Sequence, residues 1–264
     1  MVFEAFVDES GTHKGASVLS VAAMVGAHWQ WKKFLSYWDN RYFHAKESKC
    51  APLKPALFDA IQFSELEGFT AWMKPEDYED HTTARFRSSM GNAYAMCTFA
   101  CAIGVCKFAR DAKLGKVAFI IESGQPNVEW IKSVLEYMHA KERYGIASVA
   151  VAKKKDFVQL CTADFLAHSR SSDLTWYQRL FDTCRVSSAH LKSDKLKDIC
   201  QTIEEGLLDM KRKKREAKQY AKFERAVDDV LKFSHAEMKD KLEEEKKRKE
   251  SKKSSASREE DAQA

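Results

Sequence analysis

No Cys-x-x-Cys pair occurs among the seven cysteines of this 264-residue chain, which argues against a structural zinc site, since such sites close on four Cys and His ligands. The cysteines are odd in number and share no repeated pair spacing, and Cys97, Cys101 and Cys106 fall within one helical pattern. They read as buried thiols of a reducing compartment rather than as a disulfide framework. Also missing is any uninterrupted apolar run of membrane-spanning length, and the first residues carry acids where a secretory signal would carry basic residues. No membrane partner is expected, and cytoplasmic residence is the simplest reading. The absence of a GxxxxGKS/T loop argues against a P-loop motor, and the absence of a GxSxG elbow against an esterase.

What is present is apolar mass and an uneven charge. Hydrophobic residues make up 44% of the chain and include 16 phenylalanines, enough to bury one large core or two small ones. The net charge of +5 conceals the block KRKKREAKQYAKFER at 211–225, whose eight basic and two acidic side chains give +6 and leave the rest of the chain at −1. Attraction for a polyanion should therefore come from that block. A solvated helix face accounts for the block equally well.

The opening stretch VFEAFVDESG reads as a buried strand ending at two acids, Asp8 and Glu9, with Gly11 suited to the turn that follows. ASVLSVAAMVG at 16–26 is a second strand that returns as a hairpin. Trp31, Phe34 or Leu35, Trp38 and Tyr42 then recur at helical spacing. Residues 44–80 hold three of the four prolines and suggest an irregular insertion, and a long central helix is expected from Thr82 to about Ala112. KVAFIIESG at 116–124 is a continuous apolar run ending in an acid and Ser-Gly, which repeats the arrangement at Asp8. A helix over 127–144, a strand over 147–152 and a helix across DFVQLCTADFLAHSRS follow, and strand, helix, strand favours a mixed α/β sheet. From about Ser193 the sequence is helix-forming and increasingly charged, and after Met238 it keeps too few apolar positions to pack.

Two strand ends and one helix thus offer carboxylates: Asp8 with Glu9, Glu122, and Asp164. A lone acid at a strand end is ordinarily a turn residue. Acids brought together from separate segments suit Mg²⁺ or Mn²⁺, hard cations that take oxygen ligands and keep positions open for substrate phosphates. Such a cluster repels itself when empty. His44 invites a role as proton shuttle or phosphate donor, although a lone His is more often structural. Of the run Lys153-Lys154-Lys155, Lys153 and Lys155 are the candidates to place an ammonium near a scissile phosphate.

FVDESG at 6–11, YFHAKE at 42–47, the strand ending in Glu122 and VQLCTADFLAHS at 158–169 together resemble the family known as domain of unknown function 3800. The resemblance covers roughly residues 1–185 and implies a fold similar to the ribonuclease H-like nucleases. It implies a metal-bridging role for Asp8, a ligand at Glu122 where many relatives carry Asp, and completion of the cluster by Asp164. It also keeps Glu9, His44 and Glu47 among the candidate site residues, and Ser10 and Gln159 among candidate substrate contacts. Glu9 should face the side of the strand opposite Asp8, because side chains alternate.

The expected organisation is a ribonuclease H-like α/β domain over 1–190, with a mixed central sheet flanked by helices. A basic helical extension over 191–238 and a charged helix fading into a disordered tail over 239–264 would follow. The leading functional expectation is a divalent-metal-dependent nuclease, with nucleic acid as partner. The alternatives are a non-catalytic nucleic-acid-binding or assembly protein working through the basic C-terminal helices, which would also join protein partners or a second copy, and a metal-dependent hydrolase of small phosphorylated molecules.

Overall fold

The hairpin expected from the first two apolar runs lies at the centre of the sheet. In the computed structural model, which describes residues 2–201 apart from 12–14, 40 and 126, β1 (Val2–Ser10) and β2 (Leu19–Ala27) pair antiparallel from Phe3 opposite Ala27 to Ser10 opposite Ser20. Gly11 leaves β1 with φ +83°, and a Cβ there would run into the Val18 carbonyl oxygen. Only glycine fits that exit. α1 (His28–Trp38) follows at once and buries Trp31, Phe34 and Trp38 on the expected spacing.

Residues 44–80 are not an irregular insertion. After a 3₁₀ turn at Ser48–Leu53 they form α2 (Lys54–Phe63), β3 (Glu67–Met73) and α3 (Pro75–His81). Pro55 and Pro75 stand in the first turns of α2 and α3, where a missing N–H costs nothing, so they start helices rather than break them. β3 is a full member of the sheet, antiparallel to β2 with Leu19 opposite Met73.

The single helix expected over 82–112 is two helices, α4 (Ala84–Met90) and α5 (Ala93–Asp111). Gly91 turns the chain at φ +85°, and the Asn92 side chain accepts a hydrogen bond from the Ala95 N–H at 3.0 Å, starting α5 afresh. β4 (Lys116–Glu122), α6 (Val128–His139), β5 (Ile146–Ala152) and α7 (Leu160–Ser172) occupy the expected places, with α6 ending before a 3₁₀ turn at Glu142–Tyr144. α8 (Leu174–Thr183) and β6 (Val186–His190) complete the order.

The six strands lie in the order β5-β4-β1-β2-β3-β6. β4 runs parallel to β1 and β5, and β6 parallel to β3, while β2 is antiparallel to both its neighbours. One face carries Phe3, Ala5 and Val7 and is covered by α5 and α6; the other carries Phe6 and Met24 beneath α1, α2 and α7. α5 is long and apolar enough, by length and composition, to cross a bilayer, but half of that apolar window is buried within the protein, where it packs on β2, β3 and α6. The result is the α/β arrangement expected from the sequence, a mixed central sheet with helices on both faces.

The described residues fall within the first of two compact units, 1–204. Residues 193–201 are helical and bury Leu196 and Cys200. The remainder of the expected basic extension, including the block at 211–225, and the charged tail at 239–264 lie outside the described residues.

Candidate active site

Strand register determines where the acids meet. Phe6 of β1 lies beside Ile120 of β4, which lies beside Ala150 of β5. Two residues further along each strand the same face is presented again, and there stand Asp8, Glu122 and Ala152. Asp8 and Glu122 therefore point to the side covered by α7, and Asp164 approaches from that helix.

All three acids are buried, with exposures of 2%, 8% and 3% for Asp8, Glu122 and Asp164. Between them lies the ammonium of Lys154. Its Nζ is 2.9 Å from Asp164 Oδ2, 2.9 Å from Glu122 Oε2 and 3.8 Å from Asp8 Oδ2. The Asp164 contact is a hydrogen bond; the Glu122 contact is an ion pair without hydrogen-bond geometry. Asp164 Oδ2 also accepts the Ala45 N–H at 2.8 Å and lies 3.6 Å from His44 Nδ1. Asp8 Oδ1 accepts the Glu9 N–H, while its buried Oδ2 has no hydrogen-bond partner.

Three carboxylates against one ammonium leave an excess of negative charge in a dry place. Burial, then Asp164 and Glu122, push the Asp8 carboxyl well above its ordinary range, against the pull of Lys154. Burial alone would lower the Lys154 ammonium, but Asp164, Asp8 and Glu122 more than offset it and hold its proton firmly. Among the described residues no three His, Cys, Asp or Glu side chains are disposed around a common point as a metal ion needs. The common point is the ammonium. The donor set nonetheless suits a hard divalent ion in its place: it is all oxygen, and two of its buried carboxylate oxygens, Asp8 Oδ2 and Glu122 Oε2, have no hydrogen-bond partner among the described residues.

The remaining sequence-derived candidates divide. His44 does reach the cluster through Asp164. Glu9 faces the other side of β1, as alternation requires, where its Oε1 accepts from the backbone N–H and side chain of Asn127 at 3.4 and 3.3 Å; burial, offset in part by those bonds, pushes it up to about 7. Glu47 bonds the Tyr42 hydroxyl and pairs with Lys49 instead. Ser10 is buried and shares a hydrogen bond with the Ser171 hydroxyl. Gln159 and Lys155 line a cleft of about 410 Å³ with Leu35, Tyr42 and Phe157. Lys154 opens onto that cleft from the acid side.

Of the lysine run, Lys153 and Lys155 are exposed and Lys155 lines the cleft, whereas the ammonium among the acids belongs to Lys154. Lys154 stands in the turn after β5, two residues past Ala152, which packs on the α7 side.

No protein-family model matches the sequence, and neither does any curated protein. Among solved structures the chain is similar to ribonuclease HII of Archaeoglobus fulgidus in its complex with PCNA, at TM-score 0.42 and 13% identity over 77% of this chain and 90% of that one. It is similar too to ribonuclease H2 of Pyrococcus horikoshii, at TM-score 0.40 and 12% identity over 69% and 77%. A third likeness is to Bst-RNase HIII in complex with Mn²⁺, at TM-score 0.39 and 17% identity over 69% and 55%. At such scores the likeness is distant, and the reading of the site rests on its own geometry.

Proposed function

We propose that this chain is a divalent-metal-dependent nuclease whose working groups are Asp8, Glu122 and Asp164, with Mg²⁺ or Mn²⁺ as cofactor and nucleic acid as substrate. One observation carries the proposal: carboxylates from β1, β4 and α7 converge on a single buried point that a cation neutralises. Burying three acids together is costly unless they bind something. Asp8, Glu122 and Asp164 would hold the divalent ion, which would supply charge stabilisation at phosphoryl oxygens and a lowered pKa for the attacking water. Hydrolysis adds that water across one P–O bond of a phosphodiester and leaves a phosphomonoester and a hydroxyl.

The chain's own part is placement. The Ala45 N–H fixes the Asp164 carboxylate, and α7 holds it by packing Phe165 and Leu166 into the core. The Lys154 ammonium, displaced toward the adjoining cleft, is within reach of a phosphate held there. His44, about a third exposed, lies 3.6 Å from Asp164 Oδ2 through Nδ1, the atom that also accepts the Lys46 N–H at 3.4 Å, and so flanks the acid rather than offering that nitrogen freely.

Cleavage of labelled single- and double-stranded DNA and RNA with Mg²⁺ or Mn²⁺ tests the proposal. Asp8→Asn and Asp164→Asn are each expected to cut the rate on the order of a hundredfold to a thousandfold, and EDTA to abolish it. Binding without cleavage, equal in parent and variants, would refute the enzyme and assign the acids a structural role.

A further inference from the structure

The same end of the sheet carries a second cation, and this one forms no ion pair among the described residues. Arg170 of α7 is only 9% exposed. Its guanidinium carbon lies 3.4 Å from the centroid of the Trp72 ring and 5.2 Å from that of Tyr177. His190 stacks on Trp72 as well, with centroids 3.5 Å apart and planes 13° from parallel. Arg87, Arg110 and Arg185 each pair with a carboxylate. Arg170 makes no ion pair and donates no hydrogen bond among the described residues, and it is not one of those with a further partner. A guanidinium brings five N–H donors, and leaving one unpaired at such burial is costly. None of its nitrogens is among the sealed polar atoms, so its donor edge still meets solvent.

Position gives this edge a purpose. Trp72 lies beside Ser20 of β2, which lies beside Ser10 of β1, while His190 flanks Trp72 on β6. The stack is therefore two strands away from the strand that carries Asp8, roughly 9.5 Å at the usual strand spacing. Along α7, Arg170 is six residues beyond Asp164, a rise of about 9 Å. In a duplex each strand advances about 3.4 Å of helix axis per charged phosphate. Measured along such an axis, the two positions are about two to three nucleotides apart.

We propose that Arg170, held flat by Trp72 and Tyr177, is a phosphate-binding subsite that takes the backbone of a nucleic-acid strand two to three nucleotides from the acid cluster. It rests on the nuclease reading for its register, but the anion-binding itself stands on the unpaired guanidinium. Stacking fixes the plane of the group, and its free edge offers parallel N–H donors to two phosphate oxygens.

The test is fluorescence anisotropy of a labelled 12-nucleotide single strand with the full-length chain in EDTA, over a range of salt, beside cleavage with Mn²⁺. Arg170→Gln is expected to raise Kd about tenfold and to lower the slope of log K against log salt by about 0.7, one phosphate contact on a single strand. Arg170→Lys keeps the charge but loses the fork, so it should keep the slope with Kd raised about threefold; it decides the matter if Arg170→Gln does not fold. Parent-like Kd and slope in a folded variant overturn the subsite, as does a parent that binds no strand. Binding by the parent that depends on Arg170, without cleavage under any divalent ion, sustains the subsite and refutes the nuclease. Cleavage that is unchanged in KM when Arg170 is replaced does the reverse.

Discussion

Lys154 supplies the positive charge that partly offsets the three buried acids. Replacing it with methionine leaves three buried carboxylates facing one another, and removing one partner of a buried charge cluster costs about 3–5 kcal/mol. Lys154→Met should therefore melt well below the parent, and millimolar Mn²⁺ should recover more of the loss in the variant than it adds to the parent; thermal melts with and without the ion check both. A parent-like melting temperature that ignores the ion would contradict the arrangement. The thiols make a second residue-scale prediction. Burial pushes Cys101 and Cys106 up to about 12 from an ordinary 9.0, so each holds its proton in the fold at pH values where the unfolded chain has lost it. The stability this confers is complete below about pH 9 and is lost as pH rises toward 12. Chemical denaturation at pH 8 and pH 10.5 should show the decline, and all seven buried cysteines should resist a thiol reagent until the protein unfolds.

At the scale of elements, the break between α4 and α5 is where local chemistry overrules periodicity. Asn92→Ala removes the cap on Ala95 and the bond to Asn127, and should cost about 1 kcal/mol or slightly more in urea unfolding. Gly91→Ala should cost more, because its Cβ would meet the Trp130 ring at 2.7 Å from a left-handed backbone. Both signals stood in the sequence, as a Gly-Asn pair inside an apolar stripe, and the stripe hid them. β1, β2, β4, β5 and α7 were legible because each is a strongly patterned run with clear ends, and the acid trio was legible because two of those ends repeat one motif. β3 was not, since its alternation sits among prolines that turn out to start helices. β6 was not, because VSSAH is short and largely polar, and only its pairing with β3 makes it a strand. Lys154 was hidden between two other lysines, past the end of β5.

For the whole molecule, the first compact unit ends at Glu204, ahead of the basic block. A chain cut after Glu204 should keep the cooperative melt and the metal-dependent cleavage, while losing the share of salt-sensitive affinity that residues 211–225 supply. Retained binding but lost cleavage would point to the second unit as part of the catalyst, and measuring both on the shortened chain separates the two. The topology also sets an order of events. Ser10 bonds Ser171, 161 residues away, and the outermost strand β6 pairs with β3 across 118 residues. A ribosome making this chain releases Asp8 well before Asp164, which emerges only after five of the six strands, so the acid cluster is incomplete for most of the synthesis. Long-range closures of this kind are slow to form, and α7 is the element that brings Asp164 to the other two acids.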